Sequence, residues 1–163
     1  MPFVAALHGA VVGGGLELAS ACHIRVADES TFYALPEGSR GIFVGGGGSV
    51  RIPKLIGVAR MTDMMLTGRV YNAADGERIG MAQYLVPTGQ AFDKAFELAV
   101  RVAQNAPLTN YALMHALPRI AEQSADHGFL AESMMAAIAQ SAPEAKQRVK
   151  AFLDGKAAKV KKS

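Results

Sequence analysis

An α/β fold followed by a helical region is what this sequence predicts, and three observations predict it. Short apolar runs at residues 3–7, 23–27 and 31–35 have the length and composition of buried strands. Glycine-rich turns between them open into stretches with helical periodicity. Beyond residue 87 the apolar residues recur at three and four, which is the period of helices.

The first run, FVAAL at 3–7, follows Met1-Pro2 directly and reads as a strand of a sheet covered on both faces. With so little chain before it, one side of that sheet lacks neighbours, so the expectation is the later part of something larger. From Gly13 the pattern GGGLELASAC becomes helical, with Leu16, Ala19 and Ser20 on one face, and HIRVA (23–27) and TFYAL (31–35) supply two more strands. The stretch PEGSRGIFVGGGGSVRIPKLIG, with seven glycines, predicts a loop leading into a short helix near 47–52 that Pro53 should interrupt. Asn72 and Asp75 have the positions of a helix cap and a first-turn acid, and YLVP (84–87) is one more short strand. In the remainder, Phe92, Ala95, Phe96, Ala99 and Val102 form one helical face, and Leu130, Met134 and Ile138 another. Ser141 and Glu144 have capping-box spacing before a helix carrying Val149, Phe152 and Leu153, which Gly155 should stop. These apolar faces need partners, and neighbouring copies of the chain are a natural source.

At 163 residues, half of them hydrophobic, the chain can bury a real core. The single cysteine, Cys22, excludes an internal disulfide framework and suits a reducing compartment, so a cytoplasmic protein is expected. No apolar run is long enough to span a bilayer, and residues 1–16 lack the pattern of a secretory signal. The net charge of +3 is unevenly spread, because Lys156, Lys159, Lys161 and Lys162 crowd the last eight residues. Such a tail could meet phosphates, but it lacks the interleaved aromatics or module of a nucleic-acid binder.

The glycine runs raise nucleotide binding first, and the templates fail. A GxGxxG motif would need glycine where Leu18 and Val50 stand, and no GK[ST] follows Gly41 or Gly45 at P-loop spacing. No GxSxG elbow surrounds Ser39 or Ser49, and Cys22-His23 has no second pair at zinc-ligand spacing, so no metal site is expected.

What survives is backbone chemistry. The first N–H groups of a helix lack intrahelical acceptors, so Gly13, Gly14 and Gly15 offer unobstructed donors at the positive end of the dipole, an oxyanion hole in outline. The alternative is that these glycines serve close strand–helix packing. Glu17 lies one turn further on, in an otherwise apolar helix, and Glu37 follows the third strand beside a second glycine-rich helix start. An acid in a first turn can be a simple dipole partner, but Glu37 sits among Leu35, Pro36, Ile42, Phe43 and Val44, surroundings suited to proton transfer.

HGAVVGGGLELASACHIRVA followed by FYALPEGSRGIFVGGGGSVRIPKLIG resembles the crotonase superfamily, the enoyl-CoA hydratases and isomerases. VARMTDMMLTGRVYNAADGERIGMAQYLVP is similar to the family's connecting region, and the rest to its C-terminal helices. The resemblance implies a spiral of ββα turns over residues 1–87, of which only the later turns are present, and a helical trimerisation region over 88–163, with trimers often paired into hexamers. It implies an acyl-CoA substrate, with coenzyme A part of that substrate and no separate cofactor. It implies that Gly14 donates one of two N–H groups to an enolate on the thioester oxygen. It further implies that Glu17 and Glu37 hold the water that adds to C3, with Glu37 delivering a proton to C2. Leu35, Ile42, Phe43 and Val44 would line the acyl pocket, and Gly45 would open the helix directed at the reacting centre. Phe152 and Lys156 resemble positions that meet the CoA nucleotide, commonly of a neighbouring subunit. Where family hydratases usually continue the PE motif with aliphatic residues and place a proline before the glycines, this chain has Gly38-Ser39-Arg40 and Val44, a difference that bears on acyl specificity. The family's upstream half, with the other oxyanion donor, is expected to be missing here.

The leading expectation is therefore hydration of an enoyl-CoA. An isomerase using Glu37 alone is the nearest rival, and an oligomerisation fragment without a competent site is the rival of a different class.

Overall fold

Successive turns of the chain give one strand to each of two small sheets. Strand β1 (Val4–Leu7) and β2 (Ala10–Val12) lead into helix α1 (Gly14–Ala21), and β3 (Ile24–Asp28) and β4 (Phe32–Ala34) follow. A single 3-10 turn at Gly38–Arg40 then precedes α2 (Gly48–Ile56) and α3 (Val58–Thr67), after which come β5 (Tyr71–Asn72), α4 (Ala73–Ile79) and β6 (Tyr84–Val86). These elements belong to a computed structural model that describes residues 1–157. Lys159, Lys161 and Lys162 of the basic tail lie outside the described residues.

One sheet has the order β1-β3-β6 and is wholly parallel; in the other, β2-β4-β5, β2 and β4 are parallel and β5 is antiparallel. Register is fixed by pairs such as Ala6 with Val26 and Val11 with Tyr33. Val26, Ala27 and Tyr33 have no exposed surface, as expected where both faces of a sheet are covered.

The corners of adjacent turns are stapled together. The Thr31 hydroxyl donates to the Leu7 carbonyl at 3.0 Å, the Phe32 amide to the Gly9 carbonyl at 2.9 Å, and the Gly9 amide to the Ser30 hydroxyl at 3.0 Å. Ser30 in turn donates from its hydroxyl at 2.5 Å and its amide at 3.0 Å to Asp28 Oδ1, while the Gly89 amide reaches Oδ2 at 2.8 Å. Foremost the Ser30 hydroxyl bond, and then these amide bonds, hold the buried Asp28 carboxyl below its ordinary range, against the cost of its burial.

Two compact units result, Pro2–Arg101 and Val102 onward. Helix α5 (Ala91–Ala103) carries the chain from one to the other, so the line drawn at residue 87 falls inside the first unit, between β6 and α5. The second unit contains α6 (Pro107–Tyr111), a π-helical turn at Ala112–Ala116, α7 (Leu117–Ile120), α8 (Ala125–Ser141) and α9 (Pro143–Leu153).

Several expectations hold in detail and several need correction. Asn72 caps α4, its Oδ1 accepting the Asp75 amide at 2.8 Å, and α9 stops just before Gly155. Pro53 does not end α2, which continues to Ile56: the ring costs one helical hydrogen bond, while Ile52 and Ile56 on either side of it are buried in the core. On α5 the packed face is Ala91, Ala95 and Leu98, clustered with Val26, and the Phe92 and Phe96 rings are exposed and stacked on each other at 6.3 Å. Alanines let the helix approach the sheet closely, which turns the phenylalanines outward. Ser141 ends α8 and bonds to the Ile138 carbonyl; α9 begins instead at Pro143, whose missing N–H costs nothing in a first turn. β2, β5 and α3 were not foreseen.

Candidate active site

Gly13 stands at the point where β2 turns into α1. Its φ of 55° and ψ of −124° suit a residue with no Cβ, and its amide is tied to the Ala34 carbonyl at 3.0 Å, which fixes the helix start against β4. Gly14 and Gly15 are exposed, and a side chain at either would meet no atom within 4 Å. As the first residues of an eight-residue helix, their amides have no intrahelical acceptor. Gly14 is thus an exposed residue at the helix start with open space where a side chain would project, as an oxyanion donor position requires.

Glu17 follows one turn later, its amide bonded to the Gly13 carbonyl at 3.0 Å. Leu16, Ala19 and Ser20 are buried with it, so this carboxylate points inward and is only 7% exposed. Two backbone donors meet it: the amides of Gly46 and Gly48 reach Oε1 at 2.7 and 2.9 Å. A Cβ on Gly48 would stand 2.7 Å from Glu17 Cγ, so only glycine leaves room for the carboxylate there. The four-glycine run is thus a backbone clamp on the acid of the preceding helix.

Glu37, likewise 7% exposed, lies at the start of the 3-10 turn after β4. The Arg40 and Ile42 amides return to its carbonyl at 3.0 and 3.1 Å, folding the loop around it. Its Oε1 rests against Gly13, 2.9 Å from where a Cβ would be, and its Oε2 is buried without a hydrogen-bond partner among the described residues. Gly13 thus has the Glu37 carboxyl against it and accepts, at its carbonyl, the backbone amide of Glu17. The two acids and Gly14, separated by up to 23 positions in sequence, share one neighbourhood.

The remaining expected residues divide. Ile42 and Phe43 are 60% and 69% exposed on the loop after Glu37, and Gly45 is exposed with open space where a side chain would project. Leu35 and Val44 are buried members of the core. Phe152 and Lys156 belong to the second unit, with Phe152 exposed on α9. A cleft of about 490 Å³ lined by Arg60, Asp63, Arg69, Tyr71 and Arg78 lies apart, and no residue of the acid pair lines it. Among the described residues no group of acids, histidines or cysteines is arranged to hold a metal ion, and no helix is long and apolar enough to cross a membrane.

Sequence reasoning missed Gly46 and Gly48 as ligands of Glu17, and it missed Arg51, whose guanidinium spans α1 and the glycine run. The signal for the clamp was present as four consecutive glycines, but the partner they hold lies 29 and 31 residues away.

Against known proteins, the family profile described as Enoyl-CoA hydratase/isomerase matches residues 1–162. A crystal structure from Rhodopseudomonas palustris, provisionally named an enoyl-CoA hydratase, is 68% identical with a TM-score of 0.93 over 96% of this chain and 60% of that one. An enoyl-CoA hydratase from Bacillus anthracis is 30% identical with a TM-score of 0.88, covering 95% of this chain and 60% of its own. The fatty acid oxidation complex subunit alpha of Shewanella amazonensis is 45% identical over 102 residues, 61% of this chain and 14% of that protein. The chain thus spans about 60% of the solved relatives and a much smaller share of the curated one.

Proposed function

Because this chain belongs to the enoyl-CoA hydratase/isomerase family, we propose that the protein adds water across the 2,3 double bond of an enoyl-CoA thioester, with Gly14, Glu17 and Glu37 at the reacting centre. The observation that carries the reading is that two buried acids flank the start of α1: the Glu37 carboxyl lies against Gly13 with its Oε2 unpartnered among the described residues, and Glu17, one turn along the helix, is held by two amides. A single acid in the first turn would have an ordinary dipole explanation; the buried Glu37 beside it does not.

In this mechanism the thioester oxygen accepts the Gly14 N–H, so that electron density leaving the double bond collects where a donor already points. Glu17, unable to turn because both clamping amides hold Oε1, orients the water. The water oxygen bonds to C3, the electron pair of the double bond passes into the enolate, and C2 takes a proton from Glu37. Glu37 recovers a proton from the attacking water, so no net charge is gained. Ile42 and Phe43 border the acyl chain. No cofactor is needed beyond the coenzyme A of the substrate. Relatives named for fatty acid oxidation support an acyl-CoA of that metabolism. The exposed apolar side chains of α8, Phe129, Leu130 and Met134, support assembly as a trimer or a pair of trimers.

The test is Glu17→Gln in the full-length protein, assayed for hydration of crotonyl-CoA. A fall in kcat of about 10²–10⁴-fold is expected, the range for a positioned acid or base. Undiminished water addition would overturn the two-acid mechanism, whereas double-bond migration without water addition in the unmodified protein would favour an isomerase relying on Glu37.

A further inference from the structure

Arg51 lies in the first turns of α2, four residues beyond Gly47, and among the described residues its side chain hydrogen-bonds to one hydroxyl and two backbone carbonyls. Its Nε donates to the Ser20 hydroxyl at 3.2 Å, and its Nη2 donates both to the Glu17 carbonyl at 3.1 Å and to the Gly46 carbonyl at 2.5 Å. Ser20 itself donates to that same Glu17 carbonyl at 2.7 Å. The guanidinium also fills the space over Gly47, where any side chain would overlap its Nη1.

These bonds close a ring. From the Glu17 backbone the connection runs through the guanidinium to the Gly46 carbonyl, along the glycine run to the amides of Gly46 and Gly48, and from them to Glu17 Oε1. Gly48 is fixed as the first residue of α2, but Gly45 and Gly46 lie outside the helix, and residues with that backbone freedom hold a carboxylate in place only if something else holds them. The described structure offers Arg51 for that task, through a planar fork that meets acceptors on two elements at once. We infer that Arg51 is the positioning residue of Glu17: it touches no substrate atom, and it sets the carboxylate by locking the glycine clamp against α1.

The inference rests on the hydration reading for its kinetic arm alone. In the full-length protein, Arg51→Lys keeps the charge and loses the fork. With crotonyl-CoA it is expected to lower kcat about 10–10²-fold with KM changed less than about twofold, as for a reacting group displaced by a fraction of an ångström. In a Glu17→Gln background the same change is expected to cost less than about twofold, because the group it positions is already gone. A loss of equal size in both backgrounds, or a rise in KM with kcat unchanged, overturns the proposal and leaves Arg51 a stabilising residue. Arg51→Gln, which retains a shorter planar donor, is carried alongside and judged by the same cycle should the lysine variant fail to fold. Should the unmodified protein hydrate no enoyl-CoA, the functional reading falls, and a crystal structure of the folded variant decides Arg51 by itself. The bonds from Gly46 and Gly48 to Glu17 Oε1 are then expected to lengthen beyond hydrogen-bonding distance, and their persistence at 2.7 and 2.9 Å overturns the proposal.

Discussion

Glu17 and Asp28 are both buried carboxylates satisfied by backbone amides, yet the two are held for different ends. Asp28 has both oxygens engaged: Ser30 bonds to one and Gly89 to the other, at the joint between successive turns. With a folded pKa below the ordinary 3.8, it stabilises the fold above that pH, and the contribution is lost as pH falls through the folded value, because the unfolded chain then binds the extra proton. Asp28→Asn should flatten the acid side of the unfolding curve and cost about 1.5–3 kcal/mol at neutral pH, measured by urea denaturation across pH. Glu17, by contrast, has only Oε1 engaged by the clamp. Gly48→Ala places a methyl 2.8 Å from that oxygen, and the carboxylate must give way. Stability should fall by about 1–3 kcal/mol and hydration by about 10²-fold, the rate being measured well below the melting temperature so that it reports the folded enzyme. A variant that keeps its specific activity would contradict this.

Among the elements, α4 shows how closely one helix is fitted to a strand. Gly76 faces the ring of Tyr33, which is fully buried on β4 with its phenol pushed up to about 12, chiefly by burial. Any side chain at Gly76 would overlap the ring, so Gly76→Ala should destabilise by about 1–3 kcal/mol through overpacking, despite the better helix propensity of alanine, as read from the denaturation midpoint. The strands at 4–7, 24–28 and 32–34 were legible because a both-faces-covered strand is an unbroken apolar run. β2 was not, because AVV is short and sits inside a glycine-rich stretch that reads as a turn. β5 has two residues and no periodicity to detect. The α5 face was misread for a physical reason: hydrophobicity alone ranks phenylalanine over alanine, whereas close approach to a sheet selects the smaller side chain. At the candidate site, Glu17, Glu37 and the glycines of the helix start could be singled out from residue type and spacing. The clamp and Arg51 could not, because their partners come from another element and only the folded chain brings them within reach.

At the scale of the whole molecule, the first unit, Pro2–Arg101, contains Glu17 with its glycine clamp, Glu37 and the helix start, so the residues proposed for the chemistry lie in one compact body. The second unit contributes helices whose large apolar side chains are exposed, including Phe129 and Met134. Everything rests on a single spatial claim, that one thioester sits on the Gly14 amide with a carboxylate on either side of its reacting carbons. The direct measurement is a crystal structure of the full-length protein with a bound, unreactive acyl-CoA. The thioester oxygen should lie about 2.7–3.1 Å from the Gly14 nitrogen, with Glu17 and Glu37 flanking C3 and C2. A thioester bound elsewhere, or one that approaches Gly14 with either carboxylate turned away from those carbons, would contradict it.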